Sequence, residues 1–140
     1  MRISRDQMLM SMAQIVAKRS TCIRGQVGAV IAYEGRIISM GYNGAPSGLP
    51  HCTPLNCNKE NPCSTTVHAE ANAIVFAAKY GLQLSDATLY CNYSPCKACS
   101  QLIINSGIIE IVFQKEYRVR EGLLLMQQAD IMIRQLDDNI

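Results

Sequence analysis

A chain of 140 residues, 49% of them hydrophobic, is sized for one domain around one core. A formal net charge of only +2, without a basic tail or an arginine run, excludes a large nucleic-acid footprint but allows the few local cations that a small anion needs. Arg2, Arg5 and Asp6 ahead of a short apolar run do not make a secretory signal, and no stretch is long enough to span a bilayer.

Ser4-Arg5-Asp6-Gln7 has the form of a capping box, with Ser4 as the cap and Gln7 three residues on. Met8, Met12, Ile15 and Val16 follow at helical spacing, which predicts a first helix to about Arg19 with its methionines as core filler. Residues 27–32 and 37–41 are short β-branched runs on either side of Tyr33-Glu34-Gly35-Arg36, and predict a hairpin. Residues 43–66 are rich in Gly, Pro, Asn and Cys and too long for a mere connection; such loops are usually functional or tied by a metal. Residues 69–80 read as a helix stopped by Gly81, and 87–92 as a strand. Residues 96–106 read as a helix that Pro95 introduces and Gly107 ends. A strand over 108–113, a polar loop over 114–120, a helix over 121–129 and a strand over 131–136 complete the chain. The order α-β-β-α-β-α-β-α-β predicts a mixed five-stranded sheet covered by helices on both faces. We expect a single domain over 1–140, with no internal repeat or linker. Seven cysteines, without a secretory signal, read as thiols and metal ligands in a reducing cytoplasm rather than as a disulfide framework.

Val67-His68-Ala69-Glu70-Ala71 and Ser94-Pro95-Cys96-Lys97-Ala98-Cys99 stand at the starts of two of these helices. An imidazole, two thiols and a nearby carboxylate are the parts of a catalytic zinc site, where three protein ligands leave the fourth position to water. In this reading His68, Cys96 and Cys99 are the ligands, and Glu70 is left to move protons. Residues two apart in mid-helix face apart, so His68 and Glu70 converge only in a first turn. Cys96 and Cys99, three apart, share one helix face. Two helix N-termini then point at one metal, and their positive ends favour the thiolate form that binds zinc. A Cys-x-x-Cys alone also fits a structural half-site or a redox pair, and a lone His is usually core or surface. Their co-occurrence in order, with Pro95 and Glu70 in place, favours catalysis.

His-Ala-Glu followed by Pro-Cys-x-x-Cys resembles the zinc nucleoside deaminase pattern. Arg19-Ser20-Thr21-Cys22, Val27-Gly28-Ala29-Val30, Gly41-Tyr42-Asn43-Gly44 and Ile103-Ile104-Asn105-Ser106-Gly107 narrow the match. From about Arg5 to Leu136 the chain is similar to the zinc-dependent deoxycytidylate (dCMP) deaminases of the cytidine/deoxycytidylate deaminase superfamily. The resemblance implies a three-layer α-β-α cytidine deaminase-like fold, in agreement with the element order. It implies hydrolysis of dCMP to dUMP and ammonia, which supplies thymidylate synthesis. Bound zinc would lower the pKa of water to about 7. Glu70 would take the water proton, deliver it to N3 and later protonate the departing amine.

For the substrate, the resemblance implies that Asn43 contacts the sugar, although Asn-Gly also makes ordinary turns. Backbone at Ala69 and at Ser94-Pro95 is placed to read the cytosine edge. A 5′-phosphate needs a cationic clamp, for which Arg24, Lys115, Tyr117 and Arg118 are the candidates. Related enzymes use an Arg in the first region and a Tyr-Arg pair in the second. Gln26 departs from the commoner basic residue there, and exposed Lys and Arg are also ordinary solvated charges. Cys22, Cys52, Cys57 and Cys63, with His51 nearby, are candidates for a second, structural zinc of the kind some phage and bacterial relatives carry. Cys22 and Cys52 match two of its ligand positions; plain thiols fit this composition as well. Finally, the resemblance implies activation by dCTP and inhibition by dTTP, with Mg2+, in a homohexamer. Gly41, Tyr42, Asn43 and Gly44 are then candidates for effector recognition, and apolar positions of the His68 helix, including Phe76, for subunit packing; an ordinary core fits those positions equally. Neither nucleic acid nor membrane is expected as a partner. A tRNA adenosine or free-base cytosine deaminase is the nearest rival, against which stand the cysteine-bearing insertion and the weak basicity. A non-catalytic zinc module is the other, and it has no need of Glu70.

Overall fold

The computed structural model describes residues 1–57 and 63–137; the part of the expected long loop at 58–62 lies outside them. The Ser4 hydroxyl accepts the Gln7 N–H at 3.1 Å and the Gln7 side chain accepts the Ser4 N–H at 2.8 Å, so the expected capping box opens α1 (Arg5–Ala17). The helix stops short of Arg19. Lys18, Arg19 and Ser20 each donate to a carbonyl three residues back instead of four, which tightens and ends the last turn.

β1 (Gly28–Tyr33) and β2 (Arg36–Tyr42) form the expected hairpin. Glu34 and Gly35 both hold positive φ, 51° and 77°, as a two-residue type I′ turn requires. α2 (Ala69–Lys79), β3 (Thr88–Tyr93), α3 (Lys97–Ser106), β4 (Glu110–Lys115), α4 (Glu121–Gln128) and β5 (Met132–Gln135) follow in the predicted order. The sheet order is β2-β1-β3-β4-β5; β1 pairs antiparallel with both β2 and β3, and β4 pairs parallel with β3 and β5. The sheet is thus mixed, as expected.

Successive residues on the central strands feed two cores. Val30, Ala32, Tyr90 and Val112 pack against Leu9, Met10, Ala13 and Val16 of α1. Their neighbours Ala29, Ile31, Leu89, Cys91, Ile111 and Phe113 pack on the opposite side with Ala69, Ala73, Ala77, Ile103 and Leu123. Strands covered on both faces lose polar alternation, which is why β1 reads as an unbroken apolar run. The result is a three-layer α-β-α sandwich.

The second layer is unusually close at α2. A Cβ on Gly41 would lie 2.5 Å from the Ala69 carbonyl oxygen and 2.6 Å from the Ala73 nitrogen, so only glycine fits beneath this alanine-rich helix. The Ser39 hydroxyl donates to the Ala73 carbonyl at 2.6 Å and holds the same contact. The first turn of α2, which carries the chemistry, is thereby pressed onto β2. At the far edge, Arg134 of β5 pairs with Asp6 at 2.7 Å and with Glu110 at 3.1 Å, tying the last strand to α1. Among the described residues no helix is long and apolar enough to cross a membrane.

Candidate active site

The first turns of α2 and α3 meet. His68 is the N-cap of α2, and Cys96 is the N-cap of α3, where its sulfur accepts the Cys99 N–H at 3.5 Å. The His68 Nδ1 stands 3.4 Å from the sulfur of Cys96 and 3.4 Å from that of Cys99. A tetrahedral zinc with bonds of roughly 2.0–2.3 Å separates its ligand atoms by about 3.5 Å. The three donors are therefore already spaced for that ion, and they are the nitrogen and sulfur types it prefers.

Their electrostatics agree. Sharing a hydrogen bond with Cys99, and lying beside the imidazole, brings the Cys96 thiol down to about 4. The Cys99 thiol is pushed up by the same shared bond and by burial. The Cys96 sulfur in turn holds the His68 imidazole above its ordinary value. A dication between the two sulfurs would favour both as thiolates.

Glu70 lies one residue into the same turn of α2 and is only 4% exposed. Burial pushes its carboxyl above the ordinary value. Its Oε1 accepts the Cys91 S–H at 3.1 Å, from the neighbouring strand β3. A carboxyl held towards its neutral form is suited both to take and to give a proton. Nothing in the spacing of Cys91 advertised this contact; the signal available was its period-2 alternation with Leu89 towards the α2 face.

A cavity of about 340 Å3 opens over these groups. Its lining includes His68, Ala69, Glu70 and Cys96, with Asn43, Ser94, Arg24, Tyr117 and Arg118 around them. Most of the expected substrate residues are thus brought together. Pro95 is fully buried and Cys99 nearly so, and neither lines the cavity. Lys115 ends β4 outside the lining, its Nζ 6.0 Å from the centre of the Tyr93 ring.

Two of the lining side chains bind backbone. The Asn43 carboxamide accepts the Val27 N–H at 2.8 Å and donates to the Gly25 carbonyl at 2.9 Å. The buried Ser94 hydroxyl accepts the Tyr117 N–H at 2.6 Å, which hangs the 117–118 segment from the end of β3. Gly44 and Val67 exchange two backbone hydrogen bonds, at 3.1 and 2.9 Å, and so place Asn43 beside His68.

The other cysteines are gathered differently. Cys22, Cys52, Cys57 and Cys63 all line an adjoining cavity of about 220 Å3, and Cys22 and Cys63 face the larger one as well. Among the described residues no second group of three donors closes to the spacing of the first. The Thr66 hydroxyl and nearby backbone N–H groups bring the Cys63 thiol down to about 7. The His51 ring is not in this lining. Gly41, Tyr42 and Gly44 face a third cavity, of about 290 Å3, together with Arg19, Asn72 and Phe76.

Comparison with known proteins agrees with this chemistry. Residues 3–115 match the family described as the cytidine and deoxycytidylate deaminase zinc-binding region. The deoxycytidylate deaminase of Mycobacterium phage D29 is 38% identical over 123 residues, which are 79% of this chain and 94% of that one. The deoxycytidylate deaminase of Saccharomyces cerevisiae is 37% identical over 143 residues, 96% of this chain but 46% of its own, so the chain spans about half the length of that relative. The crystal structure of dCMP deaminase from the cyanophage S-TIM5, in complex with dCMP and dUMP, matches with a TM-score of 0.87 and 31% identity, covering 97% of this chain and 99% of the other.

Proposed function

The chain belongs to the cytidine and deoxycytidylate deaminase zinc-binding family, and from that premise we propose that it hydrolyses dCMP to dUMP and ammonia. The observation that carries the reading is the buried carboxyl of Glu70 beside three converged zinc donors, at a cavity of about 340 Å3, within the usual range of small-molecule sites.

Zinc held by His68, Cys96 and Cys99 supplies, when bound, a water acidic enough to attack near neutral pH. The chain's own residues do the rest. Glu70 would carry the proton released by the attacking water to N3 of the ring, and then the proton of the new C4 hydroxyl to the amine as the C4–N bond breaks. Burial pushes the carboxyl towards its neutral form, and the Cys91 thiol donates to its Oε1. Backbone at Ala69 and at Ser94-Pro95 reads the cytosine edge, and Asn43 borders the sugar. Arg24 on one wall, and Tyr117 and Arg118 on the other, receive the 5′-phosphate, with Lys115 adding charge from outside.

The same reading extends to the rest of the molecule. Residues 1–140 act as a single cytoplasmic deaminase domain. Cys22, Cys52, Cys57 and Cys63 hold a second, structural zinc, which orders the long loop. The cavity beside Gly41, Tyr42 and Gly44 receives dCTP as activator or dTTP as inhibitor, with Mg2+, in a homohexamer whose packing uses Phe76.

The test is ammonia release by the zinc-loaded protein from cytosine, deoxycytidine, dCMP, dCTP and a tRNA anticodon stem-loop, with and without dCTP as effector. Turnover of dCMP well above the others is expected. Equal turnover of deoxycytidine would remove the phosphate from the reading, and inactivity on every substrate would remove catalysis.

A further inference from the structure

β3 ends between the two walls of the cavity, and its last side chains reach both. Ser94 holds the 117–118 wall through the Tyr117 N–H at 2.6 Å. Two residues earlier, Asn92 holds the opposite wall: its Oδ1 accepts the Gly28 N–H at 3.0 Å and its Nδ2 donates to the Gln26 carbonyl at 3.1 Å. Asn43 grips the same stretch through Gly25 and Val27, at 2.9 and 2.8 Å.

The division of labour follows from backbone geometry. Successive peptide groups of an extended segment point to opposite sides, so Asn43 collects those of Gly25 and Val27 and Asn92 those of Gln26 and Gly28. β1 stands between β2 and β3, with Gly28 opposite Tyr42 on one side and Ala29 opposite Cys91 on the other. Asn43 and Asn92 are the next residues along those flanking strands. A carboxamide offers one acceptor and a donor pair, much as a peptide group does. Each asparagine therefore continues the ladder with its side chain, past the point where β1 begins. The segment so fixed leads back to Gln26 and Arg24, both of which line the cavity, whereas Asn92 does not.

We propose that Asn92 is a positioning residue that sets the wall bearing Arg24 and Gln26, and so sets the preference for a phosphorylated over an unphosphorylated nucleoside. The preference rests on the dCMP reading above; the anchoring does not. Arg24, Tyr117 and Arg118 line one cavity from segments that hang from Asn92 and Ser94, and an anion clamp depends on their spacing to within about 1 Å. The base end of the site is built on the first turns of α2 and α3, whereas the Asn92 side chain bonds to Gly28 and Gln26.

The test compares zinc-loaded Asn92→Leu, which keeps the bulk and loses the amide, with Asn92→Ala. Each should raise KM for dCMP about tenfold while kcat moves less than about twofold, and should leave KM for deoxycytidine within about twofold. The Gly28 amide should exchange with solvent at least about tenfold faster in both variants, with Val30 and Ile31 unchanged. Equal shifts in KM for the two substrates, or a loss confined to kcat, would overturn the selectivity role. An unaltered Gly28 amide would overturn the anchor itself. If the unsubstituted protein shows no preference for dCMP, the substrate reading and the selectivity role fall together, and the Gly28 amide alone decides the anchor.

Discussion

His68, Cys96 and Cys99 sit on the first turns of two packed helices, and their donor atoms lie within 4.8 Å of one another. Cys22, Cys52, Cys57 and Cys63 sit on connecting segments around one cavity, and no three of them close to that spacing. The two sets share a boundary, since Cys22 and Cys63 face both cavities. What separates them is the scaffold. In the first set the backbone is held by helical hydrogen bonds and by the Gly41 contact under α2, so the donors converge through folding alone. In the second set, the proposed zinc would have to draw the donors together, as in small sites where metal binding and local folding are one event.

The largest effect that separates the two is at Glu70. Glu70→Gln keeps the size of the side chain and removes its proton chemistry, so kcat should fall by a factor of about 10²–10⁴ with zinc still bound, by metal analysis. Unaltered turnover would break the assignment of the first set to catalysis. Next comes Cys57→Ser, which reaches only the second set. It should lower the zinc content while leaving the His68 set filled, and lower the melting temperature by several degrees, on the order of 1–2 kcal/mol. A zinc content equal to that of the unsubstituted protein would show the loop cysteines to be plain thiols.

A smaller effect sharpens the first set further. Cys91→Val is close in volume but leaves Oε1 of Glu70 without its donor, and should lower kcat about three- to tenfold. Cys91→Ser, which restores a donor, should recover most of that loss; equal defects in the two variants would count against the thiol's role. The smallest effect lies away from both sets, at the edge of the sheet. The Arg134 guanidinium holds the Asp6 carboxyl below its ordinary value of 3.8, despite some burial. The stability this contributes is present above that value and is lost as pH falls through the lower folded one. Because the pair is partly exposed, it amounts to about 0.5 kcal/mol. Thermal unfolding of Asp6→Asn should therefore differ from that of the unsubstituted protein near neutral pH and converge with it in acid, once pH has fallen through the lowered folded value; a constant difference across the range would contradict the assignment.

Local rules made most of the fold legible. The Ser4–Gln7 box, the Glu34-Gly35 turn and Gly107, at φ 92°, mark element ends by chemistry that acts within a few residues. The boundaries that moved were those decided by partners. β4 begins at Glu110 rather than Ile108 because pairing with β3 begins where Thr88 faces Glu110. The zinc donors and Glu70 could be read because helix geometry converts their spacing into direction. Lys115 was harder: as the last residue of its strand it stands beside the Tyr93 ring, while Tyr117 and Arg118 turn into the cavity. Alternation with Leu89 gives the face of Cys91, but its partner, like those of Asn92, was not legible. Each acts on a segment distant in sequence, the one on Glu70 and the other on Gln26 and Gly28, and no periodicity encodes such a meeting.

The paired hydrogen bonds between Gly44 and Val67 have an evolutionary consequence. They turn residues 45–66 into a detour with a sealed neck, and each doubling of such a detour costs only about 0.6 kcal/mol of closure entropy. Descendants of this gene could lengthen, prune or rewrite that excursion while the imidazole just beyond its neck stayed in place, which makes the insertion the natural ground for novelty in an otherwise tightly specified molecule.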